Sequence, residues 1–241
     1  MEKKQVLIFI NGMWGSEWYW QKWINIAEQN GYICRSIIPQ NCQRSGGTYV
    51  FGDYLTQVRK IINAIIKQFC DHKIILIGHS MGGLIAQKMA EEFELAGAVF
   101  VTSAQPRGIL VMHWELLSRM WRYVPEMITG KLFIPRKKDV VDLMFSECED
   151  SEGAYAQLIH ESGHVALQLA TFSVPVADKL KCPSLVVGGT LDQMTPLKVQ
   201  QKIAYKYGSP LRIFKCGHFP MLEETGGYMF SNILNWIEEQ K

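Results

Sequence analysis

A chain of 241 residues is long enough to bury one α/β domain carrying an insertion and short for two full domains. Its 25 basic residues are interleaved with 23 acidic ones for a formal charge of +2, which gives no sign of nucleic-acid binding. The 48% hydrophobic and 20% charged fractions are ordinary for a soluble globular protein. Six cysteines fall at positions 34, 42, 70, 148, 182 and 216, without CxxC spacing and outside any His-containing ligand motif, so no zinc or redox site and no cofactor is expected. Residues 1–5 lead into only five or six apolar residues, too few for a signal-peptide core, and no run approaches the roughly 20 apolar residues of a membrane span. A cytoplasmic protein with reduced thiols is the expectation.

Strand-like and helix-like segments alternate, which argues for a parallel sheet covered on both faces. Val6–Ile10 is a continuous apolar run and reads as a central strand. Residues 18–30 follow as a helix, with Trp20, Trp23, Ile24 and Ala27 at helical spacing and Gly31 as the stop. Residues 33–38 form the next strand, closed by Pro39, and a loop over 41–47 precedes a long helix from about 52 to 70. Its Leu55, Val58, Ile61, Ile62, Ile65 and Phe69 repeat on one face. A strand at 74–77, a helix at 84–93 and a strand at 98–102 come next. The alternation then breaks: residues 106–180 carry helical patterns at 112–124, 138–148, 155–162 and 165–171 and no convincing strand. It resumes with a strand at 184–187, a helix at Leu197–Tyr207 opened by Thr195 as cap and Pro196 in the first turn, a strand at Leu211–Phe214 and a helix at 228–239. Residues 1–105 and 181–241 are therefore expected to form the α/β core and 106–180 a helical lid, since Trp114, Leu117, Trp121 and Phe133 need something to bury against; the alternative is a segment packed on the outside as structural cover.

Gly78-His79-Ser80-Met81-Gly82-Gly83 lies where the third strand meets its helix. A serine between glycines at such a junction is the nucleophile-elbow pattern: the turn is sharp, and residues two positions away cannot carry side chains. A hydroxyl is a poor nucleophile until a base takes its proton, and that base needs an orienting acid. In elbow-bearing folds the acid and then the histidine come later in the chain. Two loops match that order. Gly188-Gly189-Thr190-Leu191-Asp192 follows one apolar strand, and Cys216-Gly217-His218-Phe219-Pro220 follows the next.

With Asn11-Gly12-Met13-Trp14-Gly15 after the first strand, these motifs resemble the α/β-hydrolase superfamily over nearly all of the chain outside the lid. The resemblance implies a mostly parallel sheet flanked by helices with an inserted helical lid. It implies Ser80 as nucleophile, His218 as base and then acid, and Asp192 as orienting acid. Backbone N–H groups of Met81 and Met13 are then the oxyanion donors, with Trp14 the neighbouring candidate. The family usually has histidine where Asn11 stands, a departure that should alter loop support more than catalysis.

Plainer readings stand beside these. Asp192 could simply cap a turn. His79 is expected to pack or hydrogen-bond beside the elbow, and His72 looks solvated. His113, His160 and His164 fall in the lid. The pair His160 and His164 is rejected as a metal site because Gly163 lies between them and only Glu161 is near. A serine, where epoxide- and halide-opening relatives carry a carboxylate, points to acyl transfer through a covalent acyl-enzyme on an ester or thioester. The expected partner is a small-molecule acyl substrate, free or carrier-bound, with Trp14, Trp114 and Trp121 lining its pocket. An acyl cyclase or transferase, a C–C bond hydrolase or lyase, and a non-catalytic ligand-binding protein remain alternatives on the same residues. Oligomeric state is open.

Overall fold

A computed structural model describes residues 5–42, 48–111 and 114–240. The expected loop at 41–47 and His113 fall largely or wholly outside them, as does the start of the helix placed at 112–124.

Four strands, β1 (Val6–Ile10), β3 (Ile74–His79), β4 (Gly97–Val101) and β7 (Ser184–Gly189), are buried along their whole length. A strand covered on both faces has no polar side to alternate with, which is why each reads as an unbroken apolar run. They pair in parallel with β2 (Ile33–Ile37) and β8 (Leu211–Phe214) at the edges, in the order β2-β1-β3-β4-β7-β8. Both edge strands are only partly buried, and β8 carries Arg212. β1 sits between β2 and β3, with Ile10 opposite Ile37 on one side and Gly78 on the other. The chain order reverses at β1, so the loops after β1 and β3 lie side by side at the C-terminal edge, where open α/β sheets take their ligands.

Helices fill the crossovers. The first turn of the helix expected at 18–30 is a 3-10 turn, Glu17–Trp20, and α1 proper is Gln21–Gln29, ended by Gly31 at φ 85°. α2 (Phe51–Gln68) starts where the Asp53 carboxylate accepts the Val50 N–H at 2.9 Å. It buries Phe51, Tyr54, Val58, Ile62 and Ile65, while Leu55, Ile61 and Phe69 are only half-buried. His72, expected in solvent, is half-buried with its ring edge-on to Phe69. α3 (Met81–Glu92) packs on β3 and β4, α9 (Leu197–Tyr207) on β7, and α10 (Gly226–Glu238) on α1, where Trp23 stacks on Phe230 at 4.8 Å. The expected Thr195 cap is corrected: Pro196 holds the cap position of α9, and the Thr195 hydroxyl is turned elsewhere.

Between β4 and β7 lie α4 (Trp114–Met120), α5 (Val124–Thr129), β5 (Leu132–Phe133), α6 (Lys137–Met144), α7 (Ser151–Ala156), β6 (Glu161–Ser162) and α8 (Gly163–Ala170). Two expectations fail here. The helix placed at 155–162 is α7, begun earlier by the Asp150 carboxylate accepting the Gly153 N–H at 2.8 Å. Glu161 and Ser162 instead pair antiparallel with Phe133 and Leu132, a short ribbon where no strand was expected. α5 crosses α8 so closely that a Cβ on Gly163 would lie 1.9 Å from the Glu126 carbonyl oxygen.

Candidate active site

β3 ends at His79, and Ser80 takes φ 53° and ψ −118°, a conformation that costs a non-glycine residue about 1–3 kcal/mol. Neighbouring glycines make the turn possible. A Cβ on Gly78 would lie 2.2 Å from the Gly82 carbonyl oxygen, and one on Gly82 would lie 2.1 Å from that of Ile10. The strained residue is held on every side: its N–H donates to Val101 O at 3.1 Å, and its carbonyl accepts from Gly83 N (2.9 Å), Leu84 N (3.2 Å) and Ala104 N (2.9 Å).

The structure brings Ser80, His218 and Asp192 together from three loops at the same sheet edge. His218 Nε2 lies 3.0 Å from Ser80 Oγ, and His218 Nδ1 lies 3.0 and 3.1 Å from the two Asp192 oxygens. Both His218 and Asp192 are buried. The Asp192 carboxylate is further fixed by the N–H groups of Met194 (2.8 Å) and Thr195 (2.9 Å) and by the Thr195 hydroxyl (2.7 Å). A carboxylate accepting that many bonds is locked in rotamer and so holds the imidazole ring facing the serine.

His218 is also anchored through its own backbone. Its carbonyl accepts from His79 Nε2 at 2.8 Å and from the Thr102 hydroxyl at 3.1 Å. His79 is therefore a support, as expected, and burial holds its pKa well below the usual imidazole value, so it stays neutral. Beneath the same loop, both Glu223 oxygens accept the Gly217 N–H, at 2.9 and 3.1 Å.

The loop after β1 faces the elbow. Gly12 N donates to Tyr19 Oη at 2.7 Å, and Gly12 O accepts from Gln40 Nε2 at 2.9 Å. Asn11 Oδ1 accepts from Trp20 Nε1 at 3.0 Å, so the residue in the unusual position serves as internal support. Trp14 takes φ 56°, donates its indole N–H to Phe133 O at 3.1 Å and accepts from Ile159 N at 2.8 Å, tying this loop to the β5–β6 ribbon. Glu161 of that ribbon is fully buried and accepts from Gln40 Nε2 (2.8 Å), Ser162 N (2.8 Å) and the Tyr54 hydroxyl. Burial pushes its carboxyl up to about 7, against the pull of those hydrogen bonds. Nothing in the sequence around Glu161 marks this buried role, and His164, its neighbour in the rejected metal pair, is turned away to the Ile128 carbonyl at 3.1 Å.

Over Ser80 opens a cavity of about 140 Å³. Met13, Trp14, Leu116, Met120, Met127, Leu169 and Phe172 make its apolar wall. Trp114 and Trp121 do not line it and are 81% and 68% exposed, which corrects the expectation that they face the substrate. Leu116, Leu117 and Met120 of α4 line the cavity, whereas Trp114 at its start and Trp121 in the 3-10 turn just past its end do not. A wider groove of about 590 Å³, lined by Asp178, Tyr207, Arg212 and Trp236, lies at the opposite edge of the sheet, by the start of β7, and holds none of these residues.

Compared with known proteins, residues 7–228 match the model of the Alpha/beta hydrolase family. No curated protein sequence matches the chain. Similar solved structures include tomato methylketone synthase I complexed with 2-tridecanone, at TM-score 0.74 and 16% identity over 99% of both chains. Polyneuridine aldehyde esterase is similar at TM-score 0.72 and 18% identity, over 96% of this chain and 100% of that one. A pyrethroid hydrolase from Sphingobium faniae is similar at TM-score 0.70 and 16% identity over 98% of both. Among the described residues, no helix is long and apolar enough to cross a membrane.

Proposed function

The chain belongs to the Alpha/beta hydrolase family, and on that premise we propose that it is a serine hydrolase that cleaves a carboxylic ester or thioester through an acyl-enzyme on Ser80. The observation that carries this reading is the unbroken hydrogen-bonded line from Ser80 Oγ through His218 to Asp192. His218 Nε2 takes the hydroxyl proton as Ser80 Oγ adds to the substrate carbonyl. Asp192 holds the Nδ1–H tautomer and balances the imidazolium that forms. The carbonyl oxygen gathers negative charge, and the N–H groups of Met81 and Met13 are its donors. Met81 opens α3, where the first N–H groups have no partner inside the helix. His218 passes its proton to the departing alcohol or thiol, then deprotonates a water that releases the acid.

The helical segment over residues 106–180 acts as a lid, because α4, α5 and α8 supply much of the cavity wall above Ser80. An apolar cavity of about 150 Å³ accommodates a benzene ring, so about 140 Å³ fits an acyl group of roughly six carbons. The substrate is a small molecule, free or attached to a carrier. The esterase and hydrolase among the similar structures agree with this chemistry.

A fluorophosphonate probe followed by intact-mass measurement tests the proposal. Wild-type protein should gain one adduct and hydrolyse p-nitrophenyl hexanoate, and Ser80→Ala should do neither. Absence of the adduct from wild type, or its persistence in Ser80→Ala, would refute the nucleophile assignment.

A further inference from the structure

Ala104 donates its N–H to the Ser80 carbonyl at 2.9 Å, so the next residue, Gln105, is held beside the nucleophile. Gln105 lines the cavity over Ser80 and is only 7% exposed. Its Nε2 is buried and has no hydrogen-bond partner among the described residues. Two other buried glutamines nearby are fully engaged: Gln87 Nε2 donates to Ser103 Oγ at 2.8 Å, and Gln200 Nε2 to Ser103 O at 2.9 Å. The buried amides of Gln5 and Asn11 also have unpartnered nitrogens, but neither residue lines the cavity. Gln105 thus places an amide of unmet hydrogen-bonding capacity in a wall otherwise made by side chains such as Met13, Met120, Leu169 and Phe172. Burying such a group is unfavourable unless something bonds to it.

We propose that Gln105 is a specificity-determining residue that bonds a second oxygen of the substrate, close to the scissile carbonyl. The preferred substrate class is then an otherwise apolar ester or thioester whose acyl chain carries one hydroxyl or oxo group near its reacting end. This inference rests on the acyl-enzyme reading above. The oxygen and nitrogen of a glutamine amide can exchange places by a half-turn, so the cavity presents either a donor or an acceptor. A hydroxyl satisfies both arrangements, whereas an oxo group satisfies only the donor.

The test compares kcat/KM for hexanoyl, 3-hydroxyhexanoyl and 3-oxohexanoyl thioesters of N-acetylcysteamine. Wild-type enzyme should favour the 3-hydroxy substrate over the plain one by about tenfold, the scale of one buried hydrogen bond. A comparable preference for the 3-oxo substrate would identify the N–H end as the one that binds. Gln105→Met, similar in volume and nearly without hydrogen-bonding capacity, should bring the ratio close to one, and Gln105→Leu serves if the methionine variant does not fold. A wild-type ratio near one in protein that takes the fluorophosphonate adduct overturns the Gln105 assignment and leaves the hydrolase reading standing. So does a preference that survives both substitutions. Wild-type protein that neither takes the adduct nor cleaves any of the three thioesters overturns the hydrolase reading, and the Gln105 assignment with it.

Discussion

Replacing Glu223 by glutamine should change how the protein's stability depends on pH. Glu223 is 4% exposed beneath the His218 loop. Burial pushes its carboxyl from 4.5 to about 7, the Gly217 N–H working against the rise and the nearby Glu147 and Asp192 carboxylates adding to it. The unfolded chain ionises this group near 4.5, so between 4.5 and about 7 the folded state binds more protons. Its contribution to stability is therefore fully present below 4.5 and is lost as pH rises through 7. At roughly 1.4 kcal/mol per pH unit, the full loss is about 3.5 kcal/mol. The glutamine side chain would keep an oxygen for the Gly217 N–H, at 2.9 Å in the wild type, and would carry no charge to desolvate. Urea unfolding at pH 5.5, 7 and 8.5 gives the comparison. Wild type should lose about 2 kcal/mol more than Glu223→Gln across that range, because part of the loss is already complete at pH 5.5. Glu161, raised in the same direction by burial, titrates in both proteins, so the difference between them isolates Glu223. Equal losses in the two proteins would show that Glu223 is not held protonated by its surroundings.

Two further outcomes follow from the same geometry. Asp192→Asn should lower kcat for p-nitrophenyl hexanoate by about 10³–10⁴, because asparagine can hold the wrong imidazole tautomer; a loss of less than tenfold would remove Asp192 from the orienting role. Gly82→Ala puts a Cβ 2.1 Å from the Ile10 carbonyl oxygen, a backbone atom in a central strand that cannot step aside. It should cost at least about 3 kcal/mol, seen as a fall in Tm, and an unchanged Tm would mean that the elbow has room to relax.

The sheet was legible because its central strands are buried on both faces and read as plain apolar runs at Val6–Ile10 and 74–77. The elbow was legible because steric crowding leaves its flanking positions to glycine, and each partner of Ser80 lies in a loop that follows an apolar strand, with glycine close before it. The helical segment was harder. A two-residue pairing such as Glu161–Ser162 with β5 is too short to show a period, and Trp114 and Trp121 are large apolar residues that nonetheless face outward. His79 was legible as a support beside the elbow, but its partner was not, and Thr102 was not legible at all. His79 and Thr102 act on a backbone carbonyl, an acceptor that every residue carries and that no side chain announces. Thr195 looked like a helix cap because its hydroxyl suits one, and Asp192 competes successfully for it.

The two bonds to the His218 carbonyl come from the last residue of β3 and the first residue after β4. His218 is thus fastened by its main chain to the same pair of strands that holds Ser80, which leaves both of its ring nitrogens to Ser80 and Asp192. A displacement of these two strands would carry Ser80 and His218 together. The loop after β1 is different, because Trp14 ties it to the β5–β6 ribbon within residues 106–180. A shift in residues 106–180 would therefore move the loop after β1 against a Ser80–His218 pair that kept its own spacing.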